Sequence, residues 1–211
     1  MKPFLVFDFD GTLADSFGLG FEIINRLAPQ LGLREFRDED IEVARSMSIP
    51  KALQALKIPL FKVSRAIPLV ISEFRHHVGE MQSFEGVREM LSELQKMGIQ
   101  MALLSSNSEE NLQHFIEQHH LYYFEWIEGT AGILNKQRSI RKMLKKHDLA
   151  PENVIYVGDE IRDIIASHKC GLKIIAVSWG YNTLELLASK DPDYLVDHPS
   201  QIVEIVKQLI Q

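Results

Sequence analysis

Cysteine is almost absent from this chain. Cys170 is the only one, so no intrachain disulfide can form, which suits a reducing compartment. It stands in a helical pattern just before Gly171 and reads as a small packing residue. Long basic runs are missing as well, and the net charge is −6, so no nucleic-acid partner is expected. No apolar stretch approaches the length that spans a bilayer, so no membrane role is expected. The apolar start after Lys2 is interrupted by Asp8 and Asp10 too early for the apolar region of a signal peptide. Repeats and low-complexity segments are also lacking, and the expectation is a soluble cytoplasmic protein. The eight histidines, including the pairs His76-His77 and His119-His120, have no metal-ligand spacing and read as surface residues.

What remains is an ordinary globular balance. The 211 residues are 45% apolar and 25% charged, enough for one good-sized domain or a domain with a smaller insert. Phe4-Leu5-Val6-Phe7 is an apolar run with the look of a short buried strand, and Asp8-Phe9-Asp10-Gly11-Thr12 follows at once. Two carboxylates two residues apart project to one side if strand geometry continues. Held that close they repel, and a cation or a proton must compensate. Gly11 permits a sharp exit.

The period then changes. Phe17, Phe21, Ile24 and Leu27 share a helical face that Pro29 to Gly32 ends. Ile41, Ala44 and Met47 fit a second helix, Pro50 to Leu56 a third, and Lys62 to His77 a fourth, with Pro68 awkward inside it. Residues 15–80 read as a compact helical insert, with Gly79 to Gly86 as the return linker. Beyond it, helices and strands alternate: helix 87–97, strand 100–104, helix 108–118, strand 122–127, helix 136–147, strand 154–157, helix 161–169, strand 172–177, helix 183–189, strand 194–196 and helix 200–210. That alternation predicts an α/β fold, a Rossmann-like parallel sheet flanked by helices, with an inserted all-helical cap. The domains are then 1–14 with 81–211, and 15–80.

Three strand ends carry polar groups that can share one crevice, where open α/β sheets place ligands. The first gives Asp8 and Asp10, the second Ser105, Ser106 and Asn107, and the third Gly158, Asp159 and Asp163. Three or four carboxylates in one crevice need a cation, and all-oxygen ligands favour Mg²⁺. Asp163 also reads as a plain helix residue near an N-terminus. The serines resemble an anion site at a helix start, or simple caps. Lys136 opens a helix, where a cation is disfavoured unless an anion lies nearby. Phosphate, divalent metal and a nucleophilic carboxylate together suit phosphomonoester chemistry, which a covalent aspartyl-phosphate divides into two steps.

These motifs, Asp8-Phe9-Asp10-Gly11-Thr12-Leu13, Met101 to Leu104 with Ser105, Lys136, and Val157-Gly158-Asp159-Glu160 with Asp163, resemble those of the haloacid dehalogenase-like hydrolases. Within them the chain is similar to the phosphoglycolate phosphatase-like group with a helical cap. Gly180-Tyr181-Asn182 and Pro192 to Val196 also look like this group. The resemblance implies Asp8 as nucleophile and Asp10 as the acid and base. It implies Mg²⁺ on Asp8, the Asp10 carbonyl, Asp159 and Asp163. Ser105, the Ser106 N–H and Lys136 would hold the transferring oxygens, with Asn107, Gly11 and Thr12 lining the phosphate site. An acid at Asp10 sets the chain apart from the dehalogenases. In the cap, Arg45 to Lys51 lacks the glycine that family members often carry, and Arg45 and Lys51 are candidate contacts to an anionic substrate. The expected activity is Mg²⁺-dependent hydrolysis of a small phosphorylated metabolite. A sugar phosphomutase and a non-catalytic interaction protein of the same fold are the alternatives.

Overall fold

The computed structural model describes residues 2–129 and 135–211. The elements run β1 (Phe4–Phe7), β2 (Ala14–Asp15), α1 (Phe17–Leu27), α2 (Asp38–Arg45), α3 (Ile49–Ala55), α4 (Leu60–His77), β3 (Gln82–Ser83), α5 (Val87–Lys96), β4 (Gln100–Ser105) and α6 (Glu109–Gln118). Then follow β5 (Ile127–Gly129), α7 (Lys136–Lys146), β6 (Val154–Gly158), α8 (Ile161–Cys170), β7 (Lys173–Val177), α9 (Leu184–Ala188), β8 (Tyr194–Val196) and α10 (Pro199–Ile210).

Six strands form one parallel sheet in the order β5-β4-β1-β6-β7-β8. Successive side chains leave a strand on opposite faces, and both faces here are apolar. Leu5, Phe7, Leu103, Ile155 and Val157 join a cluster with α5, α6 and α10. Val6, Leu104, Tyr156, Ile174 and Ala176 join another with α7, α8 and α9. Each fully buried aliphatic or phenyl side chain contributes roughly 1.5–3 kcal/mol, so these two layers fix the sheet. From β1 the strand order runs one way to β4 and β5 and the other way through β6 to β8. That reversal opens a crevice at the carboxyl ends of the central strands.

The insert is helical as its periodicity predicts. Ile23, Leu27 and Leu31 form its small core, packed by Leu19, Leu33, Ala66, Val70 and Phe74. Helix α4 continues through Pro68. Pro68 and Ser64 are both exposed, so water can reach the carbonyl that loses its donor.

Three expectations need correction. The chain enters and leaves the insert through an antiparallel ribbon, with Ala14 opposite Ser83 and Asp15 opposite Gln82, where the sequence reads no strand and takes 79–86 as a return linker. The strand expected at 122–127 begins at Ile127. Its aromatic run has high strand propensity, but Tyr123 N–H turns back to the Leu121 carbonyl, and Tyr123 and Phe124 pack on the core. Not all histidines are surface residues. His119 is half-buried beside Phe115 with its Nε2 2.9 Å from the Met81 carbonyl. His147, also half-buried, stacks on Trp126 at 4.0 Å. The side chain of His76 lies outside the described residues.

Candidate active site

The site is built at the ends of β1, β4 and β6. Asp8 follows β1 and is buried. Its Oδ1 accepts the Phe9 N–H at 2.9 Å, and its Oδ2 lies 2.5 Å from Lys136 Nζ. Lys136 is the first residue of α7 and its side chain is only 8% exposed. A buried ammonium at a helix N-terminus is doubly disfavoured. It is held by two carboxylates, Asp8 and, at 3.2 Å, Asp163 Oδ1. The ring of Tyr156 lies 5.0 Å beneath Nζ, a cation–π placement. The Tyr156 hydroxyl is spent on the Leu104 carbonyl at 3.1 Å.

Asp163 does two things. Its Oδ2 accepts the Glu160 N–H at 3.1 Å and closes the capping box of α8, which leaves Oδ1 for Lys136. Asp159 is fully buried. Thr12 Oγ1 donates to its Oδ1 at 2.9 Å, and the Tyr181 N–H donates to its Oδ2 at 2.7 Å. Gly11 has φ +76°, and a Cβ there would lie 2.1 Å from Asp159 Oδ2. Only glycine suits both the turn and this approach.

Asp10 is half-buried, and its Oδ1 is enclosed without a hydrogen-bond partner among the described residues. Asn107 Nδ2 points at its Oδ2 from 3.4 Å. Ser105 ends β4, is buried, and accepts the Asn107 N–H at 2.9 Å. Ser106 follows it, half-buried. Of the two cap candidates, Arg45 reaches the site, donating to the carbonyls of Gly180 at 3.1 Å and Tyr181 at 3.2 Å. Lys51 is exposed on α3 and is not brought to the other site residues by any described hydrogen bond or ion pair.

The electrostatics follow from crowding in a poorly hydrated crevice. Burial pushes the Asp10 carboxyl up to about 6, Asp8 adds to this, and Ser16 and Asn107 pull it back in part. Burial holds Asp159 well above the carboxylate range, reinforced by Glu160, Asp163 and Asp8. Asp163 is also raised, burial outweighing the opposing pull of Lys136. For Lys136, burial favours the neutral amine, but Asp163 and Asp8 outweigh it and keep it charged.

Ligand oxygens of Asp8, Asp159 and Asp163 lie within 4.8 Å of one another, the one such cluster among the described residues. All its donors are hard oxygens and no histidine or cysteine joins them. A divalent ion such as Mg²⁺ fits that set. It would relieve the like-charge repulsion that adds to burial in lifting Asp159.

Sequence pattern alone assigns no role to several groups here. Tyr156 sits in an apolar strand and looks like core. The 180–182 turn shows its part only once Tyr181 N–H is seen on Asp159. Ser16 caps nothing with its side chain, yet its hydroxyl lies 3.2 Å from the Tyr181 hydroxyl. A long-range polar contact of this kind leaves no periodic trace in a sequence.

The family model for haloacid dehalogenase-like hydrolases matches residues 5–177. A phosphoglycolate phosphatase from Synechococcus elongatus is 31% identical over 208 residues, covering 98% of each chain. The pyrophosphatase PpaX of Bacillus mycoides is 24% identical over 210 residues, covering 97% of each. The crystal structure of a predicted phosphatase from Clostridium acetobutylicum superposes with a TM-score of 0.83 at 21% identity, covering 100% of this chain and 99% of that one. Among the described residues, no helix is long and apolar enough to cross a membrane. The chain belongs to the haloacid dehalogenase-like hydrolases.

Proposed function

We propose that this protein is a Mg²⁺-dependent phosphatase that hydrolyses a small phosphomonoester of the phosphoglycolate kind through an aspartyl-phosphate. Residues 15–80 serve as its cap. The observation that carries the reading is the placement of Lys136 Nζ between Asp8 and Asp163, with Asp159 completing a buried triad of carboxylates.

An Asp8 carboxylate oxygen attacks phosphorus, and the phosphorus–oxygen bond to the leaving alcohol breaks. Asp10, whose raised affinity for a proton suits an acid working near neutrality, gives its proton to that alkoxide. In the second step Asp10 takes a proton from water as the water oxygen attacks phosphorus, releasing phosphate and restoring the Asp8 carboxylate. Lys136, the Ser105 hydroxyl and the Ser106 N–H sit where the transferring oxygens gather charge, and stabilise it electrostatically. Thr12 and the Tyr181 N–H hold Asp159 in place. Mg²⁺ held by Asp8, the Asp10 carbonyl, Asp159 and Asp163 would supply charge neutralisation at the phosphoryl group.

The test is phosphate release from a panel of phosphomonoesters, with pyrophosphate included because one relative carries that name. The panel is run with and without Mg²⁺, for the native chain and Asp8→Asn. Turnover that requires Mg²⁺ and is lost in Asp8→Asn is the expected result. No release by the native chain from any compound contradicts the reading. A sugar phosphate that is isomerised without phosphate release would point instead to phosphoryl transfer between hydroxyls.

A further inference from the structure

Arg45 is the last residue of α2, and its side chain leaves the insert for the core. Its Nη2 donates to the Gly180 carbonyl at 3.1 Å and its Nε to the Tyr181 carbonyl at 3.2 Å. The guanidinium lies 5.3 Å over the Phe17 ring, and Phe17 meets Tyr181 edge-on at 5.0 Å. The main chain joins in, since the Arg45 carbonyl accepts from Thr183 N at 3.1 Å and Asn182 Nδ2 at 3.3 Å.

The far side of the same peptide units is what matters. A peptide is planar, and its carbonyl and the following N–H point in opposite directions. The carbonyl of Gly180 and the N–H of Tyr181 belong to one unit, and that N–H donates to Asp159 Oδ2 at 2.7 Å. The carbonyl of Tyr181 and the N–H of Asn182 belong to the next, and that N–H donates to the Asp159 carbonyl at 3.4 Å. One guanidinium therefore grips two adjacent peptides from behind while both aim their N–H groups at Asp159. A charged donor on the carbonyl also polarises the opposite N–H and strengthens its bond.

We propose that Arg45 is a positioning residue, which orients the carboxylate of Asp159 for Mg²⁺ by holding the 180–182 peptides and so makes metal binding depend on the seating of the cap. Arg45 thereby acts through the backbone and not by touching the substrate. The identity of the metal rests on the phosphatase reading above.

The test is calorimetric titration of Mg²⁺ into the substrate-free protein, for the native chain, Arg45→Ala and Arg45→Lys. Groups that orient a metal ligand from behind typically cost about 10- to 100-fold in metal affinity when removed, so the Kd for Mg²⁺ should rise at least about tenfold in Arg45→Ala. Arg45→Lys keeps a cation near Phe17 but cannot fork onto two carbonyls, and it should show most of the same loss. It also keeps the test open if the alanine variant fails to fold. A native-like Kd in Arg45→Lys overturns the proposal. So does an unchanged Kd with a raised KM for a phosphomonoester, which would mark Arg45 as a substrate contact. The titration needs no turnover, so a native protein that binds Mg²⁺ but releases no phosphate would count against the phosphatase reading alone.

Discussion

The core and the cap rest on unequal foundations. The core sheet is covered on both faces by clusters that continue into six helices. The cap gathers around Ile23, Leu27 and Leu31 and leaves Leu60 73% and Phe61 63% exposed. Every group assigned to bond-making stands in the core, at strand ends whose positions the sheet dictates. The cap contributes Arg45 and Phe17, whose ring lies under the Arg45 guanidinium and meets Tyr181 edge-on. On the proposed mechanism the chemistry belongs to the strongly packed region.

The largest effect that would sharpen this contrast is Asp8→Asn. It should lower phosphate release by at least about 10⁴-fold, since losing one member of a concerted set removes nearly the whole effect. Thermal unfolding should stay cooperative, since Lys136 keeps Asp163 as a partner. A variant that retains turnover would move the nucleophile elsewhere.

Lys136→Ala comes next. It leaves Asp8 and Asp163 buried without their ammonium, and breaking a buried pair on one side costs about 3–5 kcal/mol. Urea unfolding without metal should show a loss of that order, with Mg²⁺ restoring part of it. A loss below about 1 kcal/mol, the range of an exposed ion pair, would contradict the buried arrangement.

Ile23→Ala probes the cap alone. Its side chain is fully buried, and such a truncation costs about 2–5 kcal/mol. Hydrogen exchange should quicken in α1 and α4 while β1, β4 and β6 keep their protection. Equal acceleration in the sheet would make cap and core one cooperative unit.

The smallest effect is opposite pH dependence in the two regions. In the core, burial raises Asp10 to about 6 and Glu160 to about 7, the latter against the pull of Arg162. The folded chain then keeps protons that the unfolded chain releases above about pH 4. That contribution is full below about pH 4 and is lost as the pH rises through 6 and 7. In the cap, Arg34 hydrogen bonds lower Asp40 to about 2. Its contribution is present above about pH 4 and is lost as the pH falls through 2. It is small, because Arg34 is 56% exposed. The metal-free urea midpoint should therefore rise from about pH 7.5 to about pH 5.5, while stabilisation by Mg²⁺ shrinks as protons compete for the carboxylates. A midpoint that falls over that interval would contradict the crowding of the core carboxylates.

Much of the core was legible in the sequence because strands there announce themselves twice, by an apolar run and by what ends it. Phe4 to Phe7 closes on Asp8, Gln100 to Leu104 on Ser105, and Val154 to Val157 on Gly158-Asp159. The cap helices were legible by period alone. The β2–β3 ribbon was not, since two residues a side carry no pattern and only the pairing of Ala14 with Ser83 reveals it. The strand lies at 127–129 and not at 122–127 because Tyr123 and Phe124 have strand-like side chains that the fold packs on the core, while Tyr122 is exposed. At the site, residue types showed which groups gather, but not that Thr12 is spent on Asp159 or that Arg45 grips backbone carbonyls. Such contacts join residues far apart in the chain and depend on the finished fold.

The central claim is that Asp8 forms the covalent intermediate. The most direct measurement is mass spectrometry of acid-quenched protein taken during turnover of a phosphomonoester with Mg²⁺. The account predicts a phosphoryl adduct on the peptide containing Asp8, absent in Asp8→Asn. Phosphate release with no adduct, or an adduct on a peptide lacking Asp8, would contradict it.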